Sequence, residues 1–240
     1  MEYKASMKLS ILFEDEDLIA VLKPAGLASQ STPDPKRPHV ISVLQQQYPH
    51  PYFLHHRLDR DTSGVLLLGK TKRVNAGLTE IFREHQIKKT YWALSLNRTP
   101  DNPRLLARNF TISDHLAPVR GAGKKLMRMV KVKTGGWQAE THFSLLESFG
   151  TFHLIEAKPV TGRTHQIRVH LAGEKLPIAG DFLYGGKSSA VPRILLHAKT
   201  LQFVHPLSQK DLILEAPLPK DFQTVLEGLR AGLPLDEDTP

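Results

Sequence analysis

HHRLDRDTSGVLLLGK, His55 to Lys70, is the stretch on which the reading of the fold turns. Its second half is a short apolar run, Val65 to Leu68, closed by Gly64 and Gly69. A run that brief between two glycines reads as a fully buried strand rather than as a helix. Its first half places Asp59 between Arg57 and Arg60, with Asp61 directly after. An isolated cluster of that kind is ordinarily a solvated loop. Charges packed immediately before a buried strand therefore need an explanation from the rest of the chain.

Working outward, Leu9–Asp15 and Asp17–Leu27 read as two strands around the acidic turn EDED. A Pro-rich polar loop follows, then a short helix in VISVLQQQY with Ile41, Leu44 and Tyr48 spaced for one face. Beyond the opening stretch, Val74, Leu78, Ile81 and Phe82 follow the i, i+4, i+7, i+8 pattern of an amphipathic helix, and KKTYWALSL is the next strand. Residues 104–136 are less regular and read as a basic loop or ribbon around GAGKKLMRMVKVKTGG. AETHFSLLES and TFHLIEAKPV form two more strands joined at Gly150, and THQIRVHLAGEK is helical with Thr164 as its N-cap. RILLHAKTLQFVHP and DLILEAPLP return to strand patterns before a closing helix in KDFQTVLEGL. Strands outnumber helices and come in consecutive pairs. The expectation is an α+β fold with a mostly antiparallel mixed sheet flanked by helices and loops.

The chain has 240 residues, 40% hydrophobic and 23% charged, which is ordinary for a globular protein. Its longest apolar runs fall far short of the ~20 residues a membrane helix needs. The N-terminal MEYKASMKLS lacks the apolar core of an export signal, and there is no cysteine for a disulfide, a thiolate nucleophile or a Cys-based zinc site. A cytoplasmic location is the expectation. The net charge of +8 is unevenly distributed: residues 51–200 hold 24 Lys and Arg against 11 Asp and Glu, while both ends are slightly acidic. A basic body with acidic ends suits a polyanion partner, because Lys and Arg neutralise phosphates and release their counterions.

Three separated segments call for a common explanation: HRLDRDTSG, KKTYWAL and KPVTGRTHQIRVHLAG. Together, and in this order, they resemble the RluA-type RNA pseudouridine synthases, and KPAGL, GDFLYGG and LLHAKTLQFVHP match flanking signatures of that family. The resemblance spans roughly residues 9–224. It implies a single pseudouridine-synthase catalytic domain over residues 9–228, with 1–8 as an N-terminal extension and 229–240 as a flexible tail. The active site is expected in a basic cleft. The chain is similar to the subset without an N-terminal S4 domain, so the catalytic body itself is expected to hold the RNA.

What the resemblance implies about activity is isomerisation of uridine to pseudouridine within structured RNA, ribosomal or transfer RNA or both. No metal, nucleotide or redox cofactor is implied, nor any obligatory protein partner; a monomer is the simplest expectation. Asp59 holds the family position of the catalytic carboxylate, acting either by attack at C1′ or by proton removal at C2′. Arg168 holds the position that pairs with it, and an arginine suits such a site because its charge is permanent and its fork matches a carboxylate. Tyr91 holds the base-stacking position. Arg57, on the same side of an extended segment as Asp59, is implied to enter the RNA where the uridine leaves. Arg163 is a phosphate contact or a structural pair, and Lys124, Lys125 and Arg128 of the basic loop are phosphate contacts.

Other conspicuous residues read as structure. His165 and His170 lie five apart, which is not the spacing of paired helical zinc ligands. Thr62, Ser63 and Gly64 shape the turn that presents Asp59, Asp61 faces solvent or RNA, and Gly180, Asp181, Tyr184 and Gly185 are turn residues. DRDTS resembles the motif of aspartate-nucleophile phosphatases, but FLHHRL is not the apolar strand that should precede it. A catalytically silent RNA-binding protein would share the charge and fold, yet the joint presence of Asp59, Tyr91 and Arg168 favours an enzyme.

Overall fold

The computed structural model describes residues 7–34, 36–97, 99, 101–120, 127–188 and 191–233. In chain order the elements are β1 (Ser10–Glu14), β2 (Leu18–Lys23), α1 (Val40–Gln47), β3 (Phe53–Leu54), β4 (Ser63–Gly69), α2 (Lys72–Arg83), β5 (Lys88–Leu96), α3 (Pro103–Ala107), β6 (Asn109–Arg120), β7 (Met127–Val132), β8 (Trp137–Phe149), β9 (Phe152–Pro159), α4 (Gln166–Gly173), β10 (Leu196–Val204), β11 (Asp211–Glu215) and α5 (Lys220–Arg230). They fall into two compact units, Met1–Lys89 with His197–Leu218, and Thr90–Leu196 with Pro219–Pro240. The fold is α+β, with mixed but mostly antiparallel sheet pairing.

In the first unit β2 pairs antiparallel with β1 and with β4, and β10 pairs antiparallel with β11. The one parallel junction among the described pairs joins β10 to β4, His197 opposite Ser63 and Ala198 opposite Gly64. All of β4 is buried. Val65 and Leu67 pack with Leu18, Leu201, Phe203 and the α2 residues Val74, Leu78 and Ile81, while Leu66 and Leu68, on the opposite face, are equally buried. Burial on both faces explains the continuous apolar run, since an exposed face would have required alternation. The acidic turn before β2 is structural too: Asp15 Oδ1 accepts from the backbone of Asp17 and Leu18, and Asp17 makes a two-point ion pair with Arg73 at the start of α2.

The second unit is a meander of long antiparallel pairs, in which β9 pairs with β5 and β8, and β6 pairs with β8 and β7. One face, carrying Ala93, Phe110, Ile112, Phe143 and Ala157, packs against Ile167 and Leu171 of α4. The irregular segment at 104–136 thus contains α3 and a β6–β7 ribbon. Lys124 and Lys125 lie outside the described residues, as does the tail from 234. Two local expectations are corrected. Tyr48 is 47% exposed, and α1 instead buries Val40, Val43 and Leu44, because Tyr48 is already the extended cap residue. Thr164 does not cap α4; His165 does, in a left-handed conformation with φ 55° and without a side-chain cap bond.

Gly64 has φ 123°, and a Cβ there would lie 2.2 Å from the Ala198 carbonyl oxygen. Both conformation and space at the β4–β10 junction therefore demand glycine. Gly64→Ala is expected to destabilise by about 2 kcal/mol or more. Gly228→Ala, in α5 with nothing within 4 Å of the new Cβ, should stabilise by roughly 0.5–1 kcal/mol. Denaturant melts of the two variants check both signs.

Candidate active site

Asp59 is carried by a loop whose neighbours are held on both sides. Leu58 is buried, and both its N–H and its carbonyl bond to the Ser29 hydroxyl, at 3.1 and 2.9 Å. The Arg60 carbonyl accepts from Gly26 N–H and from the Lys23 ammonium, each at 2.9 Å. Lys23 is fully buried, and its Nζ also donates to the carbonyls of Pro24 and Leu27. Thr62 N–H closes a turn on the Asp59 carbonyl. Arg57 is exposed, Leu58 buried and Asp59 half-buried, so the alternation of an extended segment puts Arg57 and Asp59 on one side.

The histidines before the loop anchor it to α2 and β4. His55 bonds through Nε2 to Asn75 Oδ1 and through Nδ1 to the Thr79 hydroxyl. His56 accepts the Leu67 N–H at Nε2 and stacks on Phe82, with ring centroids 4.6 Å apart. Positions 75, 79 and 82 form one stripe of α2. Beyond the loop, Ser63 bonds to His197 Nδ1 at 2.9 Å; both residues are fully buried, which makes this a structural pair and not a nucleophile with its base. Asp61 pairs with Arg60 at the surface.

In the second unit Arg168 makes a bidentate pair with Asp181, Nε to Oδ2 at 2.7 Å and Nη2 to Oδ1 at 3.0 Å. Asp181 is buried and also accepts the backbone N–H groups of Leu183 and Tyr184. The Tyr184 ring lies 5.0 Å from the Arg168 guanidinium carbon, and its hydroxyl bonds to His165 Nδ1 and accepts from Met129 N–H. Charge, plane and stacking together fix the direction of the guanidinium. The preceding loop is stitched to β8 by buried Gln166, whose amide donates to Glu140 O and Thr141 Oγ1 while its carbonyl accepts from Thr161 Oγ1 and Arg163 N–H.

Tyr91 is half-buried, opposite Ala157 on the face of the sheet that packs against α4. Arg163 donates through Nε to the Gln138 carbonyl, and Arg128 is exposed on β7. Of the expected catalytic residues, the first unit carries Asp59 and the second carries Tyr91 and Arg168. A cleft of about 410 Å³ in the second unit runs between the β6–β7 ribbon and α4. Arg128 and Lys131 line it, and so do Asp114 and Glu174; its charge is balanced rather than basic. Among the described residues no group of three or more His, Asp or Glu is placed to hold a metal ion. His165 and His170 serve different partners, Tyr184 and Thr141. The sequence reading missed Ser29 and the role of Lys23, and it took Asp181 for a turn residue alone. Its only signal for them was that KPAGL and GDFLYGG stood among the matching signatures.

Residues 17–173 match the sequence model of the RNA pseudouridylate synthase family. Ribosomal large subunit pseudouridine synthase C of Buchnera aphidicola is 35% identical over 91% of this chain and 70% of its own length. That of Vibrio cholerae is 34% identical over 94% and 71%. An uncharacterized RNA pseudouridine synthase of Bacillus subtilis is 34% identical over 91% and 71%. Human RNA pseudouridylate synthase domain-containing 4 superposes with a TM-score of 0.70 at 27% identity, covering 92% of this chain and 93% of that one. The chain belongs to the RNA pseudouridylate synthase family, in its RluA-type branch. It is an RNA pseudouridine synthase, isomerising uridine to pseudouridine within RNA.

His170, two residues after Arg168 in α4, is buried and bonds to Thr141. Desolvation pushes its pKa down to about 4, with nearby Asp114 and Glu174 opposing and Lys131 assisting. The folded protein therefore resists a proton that the unfolded chain accepts near pH 6.5. This share of stability is complete above pH 6.5 and is lost as the pH falls toward 4, by up to about 3 kcal/mol. Thermal melts from pH 7 to 4 should show that loss, and His170→Gln should have a shallower slope; an unchanged slope would contradict it.

Proposed function

We propose that Asp59 is the catalytic carboxylate of this synthase and that its substrate is ribosomal RNA, the substrate class named for the Buchnera and Vibrio relatives. The observation that carries the reading is the clamped loop: Leu58 is fixed by Ser29 and Arg60 by Lys23, which leaves the half-buried Asp59 carboxylate between two anchored residues. A reaction that must meet one ribose atom needs such positioning. The chemistry is an isomerisation. The N1–C1′ bond of uridine breaks, the uracil turns, C5 bonds to C1′, and the C5 proton is released while N1 regains one. Asp59 acts on the ribose, Tyr91 stacks on the uracil, and Arg168, aligned by its bidentate pair with Asp181, supplies the positive charge that the reaction needs. Arg57, exposed on the same side as Asp59, enters the RNA where the uridine leaves.

Residues 9–228 act as one catalytic domain, a cytoplasmic monomer that needs no cofactor and no protein partner. Phosphates are met by the basic ribbon through Lys124, Lys125 and Arg128 and by Arg163, which supply the salt-dependent part of affinity.

Asp59→Asn keeps size and removes the charge. Pseudouridine formation is expected to fall roughly 10³-fold or more, because an amide is neither an adequate base nor an adequate nucleophile. RNA affinity should persist. Asp61→Asn, which removes the same charge two residues on, should keep most of the activity. Pseudouridine in treated ribosomal RNA, quantified after nuclease digestion, reads both variants once melting curves show them folded. Folded Asp59→Asn protein at the wild-type rate, or equal losses from both substitutions, would overturn the assignment.

A further inference from the structure

Trp137 opens β8 with 52% of its surface exposed. It stands opposite Leu116 of β6, which in turn stands opposite Lys131 of β7, so indole, leucine and ammonium form one cross-strand row on one face of the sheet. Leu116 is fully buried in that row. The turn that leads into Trp137 is one that only glycine allows: Gly135 and Gly136 have φ 71° and 77°, and a Cβ on Gly136 would lie 2.8 Å from the Leu116 carbonyl oxygen.

The charges around it are mainly positive. Lys131, in the row, and Lys133, just beyond the β7 strand, are exposed, while Arg128, opposite Val119, lies on the other face of the ribbon. Arg163 bonds to the carbonyl of Gln138, the residue after Trp137. Against them stand Asp114, which pairs with Lys131, and Glu140. An open π-face among cations fits an unpaired nucleobase whose flanking phosphates lie on the lysines and Arg163. This base is not the reacting uracil. Tyr91, Ala157 and Phe143 are in register across β5, β9 and β8, and Phe143 is six residues along β8 from Trp137, so the two rings are about 20 Å apart along the sheet.

We propose that Trp137 is a stacking platform for an unpaired base of the RNA substrate outside the reacting nucleotide. The inference rests on the reading of the β6–β7 ribbon as an RNA-contacting element, and it adds a specificity-determining contact to it. Tryptophan emission tests it directly, since Trp92 and Trp137 are the only two indoles. In a Trp92→Phe background, checked by melting, protein-free ribosomal RNA should quench Trp137 emission, as a base stacked on the indole would. Heparin, a polyanion without bases, should bind and leave the emission unchanged. Trp137→Ala should weaken RNA binding roughly 5- to 150-fold, with Trp137→Tyr recovering most of it and Trp137→Leu little. RNA retained on a filter with unchanged emission would overturn the proposal, as would equal quenching by heparin or full recovery by leucine. The titration reads binding and not turnover, so failure of the Asp59 assignment would leave its result intact. Absence of RNA retention would overturn both.

Discussion

The Lys23 ammonium is the point on which the Asp59 loop depends. It is wholly buried, and its three N–H bonds reach the carbonyls of Pro24, Leu27 and Arg60. Removing an ammonium from water costs several kcal/mol unless its donors are met, so these three oxygens must converge for the segment to fold at all. Their convergence ties the chain leaving β2 to the residue after Asp59. The cost of burying one cation thus becomes the positional constraint on an acid 36 residues away in sequence.

The second unit applies the same device with the signs exchanged. Asp181 is the buried ion there, and Arg168, Leu183 N–H and Tyr184 N–H converge on it. The left-handed His165 and the buried Gln166 bring α4 into position for this pairing. Each unit therefore fixes a motif residue, the Asp59 loop in one and Arg168 in the other, through a buried charge satisfied by backbone groups or by a bidentate partner. Such arrangements tolerate little displacement, which suits a reaction whose substrate must be turned while it is held.

Much of this was legible in the sequence because it rests on patterns with a fixed period or a fixed spacing. The run at Val65 to Leu68 announced a strand buried on both faces, and the spacing of Val74, Leu78 and Ile81 announced the face of α2 that covers it. The motif segments singled out Asp59, Tyr91 and Arg168, the residues to which catalytic roles are proposed. What stayed hidden depends on backbone geometry. Nothing in the letters of KPAGL says that the lysine turns inward onto carbonyls, and Thr164 was the natural cap until His165 took a positive φ. Tyr48 fits a helical stripe that ends one residue before it. The β6–β7 ribbon was obscured because its cations and glycines mimic a loop, although alternate residues such as Leu116 and Met129 are buried.

The family places this chain among enzymes whose product has the same mass as the substrate, so the decisive signal is the hydrogen that leaves. Ribosomal RNA lacking the modification, transcribed with tritium at uridine C5, should release tritium to water when incubated with the purified protein, one equivalent for each pseudouridine formed. Conversion of uridine with the C5 tritium retained, or no release from any ribosomal RNA by folded protein that binds it, would contradict the central claim.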